Sequence, residues 1–230
     1  MLIVLEGLDG AGKSTQVAAL KKYLEKRVGN LEYIHFPRYD APVYGDLISR
    51  FLRGEFGSNE TVHPQLVALL FAEDRHGAAP EIRQALAGGK TVLLDRYVYS
   101  NIAYQCAKLP EGPGREQLRN WILETEFGPF GLPRPDVNLF LDVPIGFVRE
   151  RLSAQRQGHD RDYLDGSSDI HEADIHFQET VCSIYRREAA EDPSLLRVDC
   201  AGPDGRMLPP ETISSRVEAL VDHYLTQSGL

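Results

Sequence analysis

Residues Gly7 to Thr15 read GLDGAGKST, directly behind the apolar run LIVLE. This is the pattern G-x-x-x-x-G-K-[ST], set between a strand and a helix as the pattern requires. Gly7, Gly10 and Gly12 let the backbone of Leu8, Asp9 and Ala11 curl until successive N–H groups point into one hollow. Lys13 puts an ammonium there, and the helix that opens at Ser14 and Thr15 adds the positive end of its dipole. Such a hollow takes a polyphosphate, and the Ser14 hydroxyl is placed for a magnesium ion on it. The bland alternative is a glycine turn before a helix. A loop of this kind needs a buried strand to deliver it, so the rest of the chain is read for an α/β pattern.

That pattern is present. The spacing predicts strands over 2–6, 33–36, 91–95, 138–143 and 195–198. Helices are predicted over 13–27, 43–53, 64–75, 80–87, 97–106, 116–125 and 210–225, and Pro144 opens one more. Gly88-Gly89 stops one helix, and 128–135 is a loop rich in Gly and Pro. Strands alternating with helices imply a mostly parallel five-stranded sheet covered on both faces. With 230 residues and no internal repeat, one α/β domain over 1–230 accounts for the chain.

Composition narrows the function. A net charge of −9 argues against a nucleic-acid partner, whose binders are usually basic. Cys106, Cys182 and Cys200 are scattered and odd in number, so they read as packed thiols in a reducing cytoplasm rather than a disulfide framework or zinc site. No apolar run reaches membrane-spanning length and no leader pattern precedes the first strand, so no membrane partner is expected. His159, His171 and His176 are irregularly spaced on a polar stretch and read as solvated.

Ligands of a parallel sheet gather beyond the carboxyl ends of its strands. Those ends carry the P-loop, then Phe36-Pro37-Arg38, then Asp95-Arg96. Asp95 suits the magnesium shell or its waters, and Arg96 suits a second phosphate through its planar donor fork. A salt bridge or a helix cap is the competing reading for the pair. Residues 155–172, QRQGHDRDYLDGSSDIHE, are polar and lack apolar periodicity, which predicts an exposed, mobile loop. Two readings fit it: a lid that brings Arg156 and Arg161 to transferring phosphates, or a solvated linker.

Several stretches together are more specific than the P-loop. They are IVLEGLDGAGKSTQ at the start, FPRYD, LLFAEDR at 69–75, LLDRYVYSNIAYQ at 93–105, GLPRPDVNLFLDV at 131–143, and DIHE after the lid. In this order, over nearly the whole length, the chain resembles the thymidylate kinases, nucleoside monophosphate kinases that phosphorylate dTMP. The resemblance implies the three-layer P-loop kinase fold with a mobile lid, ATP and Mg²⁺ as donor and cofactor, dTMP as acceptor, and a cytoplasmic homodimer.

It also implies roles. Gly7 to Thr15 would bind ATP, Asp9 would contact the acceptor sugar or position an arginine, and Phe71 would stack on thymine. Arg75 would hydrogen-bond the base, with Asn101 and Gln105 beside base and sugar. Tyr104 would exclude a ribose 2′-hydroxyl, Arg96 would hold the dTMP phosphate, and Ser14 and Asp95 the magnesium. From periodicity alone Phe71 would be core, since the helix's apolar stripe includes it. Members with glycine at the position of Gly10 place their catalytic arginines in the lid, which favours Arg156 and Arg161 over Arg149 and Arg151. Phe36, Pro37 and Arg38 form the turn beside the acceptor, where Arg38 either holds the dTMP phosphate or faces water. The stretch 200–210 lies near adenine by resemblance, or is a plain connector. The acceptor phosphate is already anionic, so catalysis needs positioning and charge neutralisation rather than a general base. A deoxynucleoside kinase, another pyrimidine monophosphate kinase and a P-loop regulatory ATPase or GTPase are the alternatives. No N-K-x-D stretch follows a strand and no apolar strand ends in D-E, as switches and mechanical ATPases usually show.

Overall fold

The computed structural model describes residues 1–154, 159–166, 169–172 and 174–229. Among them, β1 (Leu2–Glu6), β2 (Leu31–His35), β3 (Thr91–Asp95), β4 (Val137–Asp142) and β5 (Leu196–Asp199) form one sheet in the order β2-β3-β1-β4-β5. Every neighbouring pair is parallel. β1, β3 and β4 are buried at every position, which is why their sequences are mainly apolar rather than alternating, with Asn138 the polar exception inside β4.

Eight helices among the described residues flank the sheet: α1 (Lys13–Arg27), α2 (Tyr44–Leu52), α3 (Pro64–Ala87), α4 (Val98–Cys106), α5 (Pro113–Phe127), α6 (Ile145–Ser153), α7 (Ile175–Glu191) and α8 (Pro210–Gln227). α1 packs against α8, while α4 is surrounded by α3, α5 and α7. The three cysteines are free and buried, as expected of packed thiols. Among the described residues, no helix is long and apolar enough to cross a membrane.

β1 lies between β3 and β4, so the chain leaves its end for one side of the sheet and later fills the other. The crevice for a ligand opens at that switch point, and the P-loop occupies it. A smaller apolar cluster of Ile48, Phe51, Leu52 and Val67 joins α2 to α3, and Tyr39, Phe71, Tyr163 and Ile170 pack onto it.

Two helical expectations change. The stretches 64–75 and 80–87 form one helix, α3, with Pro80 inside it. Proline forfeits one backbone bond and crowds the preceding turn. Here Ala78, Ala79 and Ile82 are wholly buried, and that packing carries the helix through. The second change is α7, which the periodicity did not reveal. Its buried stripe is Gln178, Val181, Cys182, Tyr185 and Glu188, at helical spacing but with polar residues at both ends.

Candidate active site

The P-loop turns through two left-handed glycines, Gly10 at φ 72° and Gly12 at φ 79°, and Gly12 caps α1. A side chain at either position would be strained. A Cβ on Gly10 would also lie 3.3 Å from the Cβ of Arg151. Leu8 sends its side chain into the core, and its carbonyl accepts from Lys13 Nζ at 3.3 Å. Ser14 and Thr15 are exposed at the mouth of the loop. Burial, with help from Arg96, lowers the Lys13 ammonium to about 8.

Beyond the loop lies a cleft of about 560 Å³, lined by Gly10 to Ser14, Asp95, Arg96 and Arg151. Asp95 is 6% exposed, and its Oδ1 has no hydrogen-bond partner among the described residues. An orphaned carboxylate oxygen and a serine hydroxyl lining one cleft are oxygen donors of the kind that a small hard cation takes. The chemistry of Ser14 and Asp95 therefore fits Mg²⁺. Arg151 reaches this cleft from α6, whereas the sequence ranked it below the lid arginines. Of those, Arg156 lies outside the described residues. Arg161 falls in the 3₁₀ turn His159–Leu164, with its side chain outside the description.

A second, tighter pocket of about 70 Å³ adjoins the first. Asp9 and Arg96 line both. Arg96 sits at φ 68°, a conformation costly for any residue with a side chain. Its guanidinium is fixed at both ends. Nη1 donates to Gly7 O at 2.9 Å and Ser100 Oγ at 3.2 Å, and Nη2 donates to Asp9 Oδ1 at 2.6 Å. Tyr104 Oη donates to Asp9 Oδ2 at 2.8 Å, and Gln178 Nε2 does so at 3.1 Å. Burial alone would raise the Asp9 carboxyl, but the charges of Arg96 and Lys13 overcome it and hold it well below the usual range.

The pocket's far wall is built around a residue the sequence did not flag. Glu126 of α5 is fully buried and takes Arg75 bidentately, at 2.6 and 2.8 Å. It also accepts from Asn101 Nδ2 at 2.8 Å. That same nitrogen donates to Ala68 O, which fixes the orientation of the amide. Asn101 Oδ1 and Gln105 Oε1 are left buried without partners among the described residues. Phe36, Pro37, Phe71 and Tyr104 supply apolar walls. Arg38 is elsewhere: its Nε donates to Asp74 Oδ1 at 2.9 Å and its Nη2 to Asp74 O at 2.6 Å. It is absent from the lining of these two clefts, and the buried Asp74 on α3 claims its guanidinium.

Asp162, Asp165 and Gly166 of the lid stretch are exposed, as expected, but other described residues of it are packed against the body of the protein. Leu164, Asp169 and His171 are buried, and Tyr163 stacks on Tyr39 at 3.9 Å and 7°. Backbone and side-chain bonds clasp it: Ile170 N to Leu52 O at 3.0 Å, Arg53 Nη1 to Tyr163 O at 2.8 Å, and Asn59 Nδ2 to Ile170 O at 2.8 Å. His171 is therefore not a solvated histidine. It lines the smaller pocket beside Phe71 and Tyr104, and its Nε2 has no partner among the described residues. His176 is exposed, as expected. Gln178 ties the lid to the P-loop, donating to His171 O at 2.8 Å as well as to Asp9. Burial, reinforced by Asp9, raises the Asp169 carboxyl to about 7. Burial lowers the Lys108 ammonium to about 7.

The thymidylate kinase family model matches residues 5–205 of this chain. The chain belongs to the thymidylate kinase family. It is 34% identical over 217 residues to the thymidylate kinase of Mycobacterium tuberculosis, covering 89% of this chain and 99% of that one. With the human thymidylate kinase it shares 33% identity over 160 residues, 70% of this chain and 68% of the other. Among solved structures, the thymidylate kinase of Candida albicans superposes with a TM-score of 0.70 at 29% identity, over 96% of this chain and 91% of that one. As in a P-loop kinase fold, the family's parallel sheet presents its two clefts at one end.

Proposed function

We propose that this protein transfers the γ-phosphoryl group of ATP to dTMP, forming dTDP for the supply of dTTP. One observation carries the reading: a phosphate cleft and an aromatic pocket adjoin, and Asp9 and Arg96 line both. ATP phosphates would lie along the P-loop amides and Lys13. Mg²⁺ would be held by Ser14 and Asp95, and supplies charge neutralisation on the phosphates. Arg96 holds the acceptor phosphate at the boundary, while Lys13 and Arg151 line the donor side, where charge develops on the transferred group.

The base pocket suits thymine chemically. Phe71 offers a flat face, and the orphaned oxygens of Asn101 and Gln105 are acceptors for the ring N3–H. Arg75 supplies a donor for a base carbonyl, held in place by Glu126. Such buried polar groups discriminate against bases that leave them unpaired. A nucleoside kinase would need a base for an uncharged hydroxyl. Asp9, held low in pKa and already engaged by Arg96, Tyr104 and Gln178, is poorly suited to that task.

The same reading extends to a cytoplasmic homodimer. Its support is three buried free thiols and an exposed Leu66 on α3. Sedimentation equilibrium at the dimer mass supports it, and a monomer mass across the concentration range rejects it. Function is tested by initial rates of ADP formation from Mg-ATP with dTMP, dUMP, dCMP, dGMP, AMP and thymidine. Turnover concentrated on dTMP supports the assignment. Faster turnover with thymidine or a purine nucleotide rejects it.

A further inference from the structure

The buried acid at the end of β1 has no part in the scheme above. Glu6 is wholly buried beneath the boundary between the two clefts. Its Oε1 accepts from the backbone N–H of Tyr97 at 2.9 Å and of Ser100 at 3.1 Å. Its Oε2 accepts from the hydroxyls of Ser100 and of Tyr185, the latter at 2.9 Å. Those two hydroxyls also touch each other at 2.8 Å. Ser100 Oγ in turn accepts from Arg96 Nη1 at 3.2 Å.

Two consequences follow from this wiring. α4 has no side-chain cap of its own, and two N–H groups at its start end on Glu6 from another element. A carboxylate there also favours the positive end of the helix dipole. α4 carries Asn101, Tyr104 and Gln105 into the pocket, but Asn101 has its own anchors in Ala68 O and Glu126, and Tyr104 has one in Asp9, so a loss at Glu6 falls chiefly on Arg96. The second consequence concerns Arg96. Its guanidinium is a planar fork gripped at Nη2 by Asp9 and at Nη1 by Gly7 and Ser100. Holding two nitrogens fixes the plane, and the Ser100 contact is in place only while Glu6 takes the Ser100 hydrogen bonds.

We propose that Glu6 is a positioning residue: by capping α4 and orienting Ser100, it holds the Arg96 guanidinium at the angle that grips the acceptor's phosphate. The proposal rests on the reading of Arg96 as the holder of that phosphate. The two carboxylate oxygens accept from four donors at once. A glutamine would either turn its NH₂ toward the two backbone N–H groups or force the hydroxyls of Ser100 and Tyr185 to switch from donors to acceptors. Burial outweighs the hydrogen bonds of Ser100 and Tyr185 and the charge of Arg96, so the Glu6 carboxyl is raised.

The test compares dTMP with thymidine by calorimetric titration in wild type, Glu6→Gln and Tyr185→Phe. Only dTMP presents a phosphate to Arg96, whereas both ligands read the base pocket. Glu6→Gln is expected to weaken dTMP roughly ten- to a hundredfold, as loss of a charge-assisted hydrogen bond does, with thymidine changed less than about twofold. Tyr185→Phe removes one hydroxyl but keeps the ring that stacks on Phe140 at 4.6 Å. Its expected loss is in the same direction and about two- to fivefold. If Glu6→Gln does not fold, Tyr185→Phe decides alone. Equal losses on dTMP and thymidine, or an unchanged ratio of the two in either folded variant, would overturn the proposal. A wild-type protein that binds thymidine as tightly as dTMP would instead overturn the reading of Arg96, and the proposal with it.

Discussion

Arg75 and Glu126 form an ion pair whose side chains are 3% and 0% exposed, with the two oxygens bound at 2.6 and 2.8 Å. Removing one partner strands the other charge without water, at a cost of about 3–5 kcal/mol. Unfolding entropy of about 2.1 cal/mol/K per residue over 230 residues gives about 0.5 kcal/mol per degree, so Glu126→Ala should lower Tm by about 6–10 °C. Arg75→Ala should do the same. The double variant Arg75→Met with Glu126→Leu replaces the pair by apolar side chains of similar length, and should recover most of that stability. It should not recover function. The dTMP KM should stay raised about tenfold or more in all three variants, because a donor aimed at the base, or its anchor, is gone, while the ATP KM stays within about twofold. Melting of the unliganded proteins and initial rates with each substrate varied in turn check both halves. A double variant as unstable as the singles would refute the electrostatic argument. Restored dTMP KM in the double variant, or equal losses on ATP, would refute the assignment of this wall to the base.

Further outcomes follow from the same geometry. Lys13→Ala should lose at least about a hundredfold in kcat while melting cooperatively, since a donor aimed at developing charge is removed; near wild-type turnover in a folded protein would contradict the P-loop assignment. Arg151→Ala should lower kcat with little change in dTMP KM, measured by initial rates, because Arg151 lines only the phosphate cleft. Asp169 has its carboxyl raised from 3.8 to about 7, so its contribution to stability is complete below about 3.8 and is lost as pH rises through about 7. Asp169→Asn, which cannot ionise, should therefore gain on wild type in urea midpoint between pH 4 and pH 8. A constant difference across that range would contradict burial as the cause.

Much of this architecture was legible because local chemistry declares it. Mainly apolar runs mark β1, β3 and β4, and the glycines with Lys13 mark the loop between β1 and α1. Asp95-Arg96 stood out as charge at the end of an apolar strand. What was hidden is mostly long-range. Glu126 and Arg75 are 51 positions apart, and Gln178 and Asp9 are 169 apart, so no window of sequence contains either contact. α7 escaped because its buried face includes Gln178 and Glu188, which a hydropathy stripe scores as solvent-facing. The lid misled for a related reason. Its few apolar groups follow no period, yet Leu164 is buried, and Tyr163 and Ile170 dock on a small cluster formed by α2 and α3. His171 entered the pocket with them. Arg38 sat at a strand end as the ligand rule favours, but a buried aspartate captured it first.

On this reading the γ-phosphoryl group crosses the boundary formed by Asp9 and Arg96. Incubation of the protein with γ-³²P-labelled ATP, Mg²⁺ and dTMP, followed by chromatographic separation of products, tests it most directly. Label should leave ATP and appear in dTDP, in step with ADP. Label recovered only as inorganic phosphate, or in dTMP when thymidine is supplied in its place, would contradict that transfer.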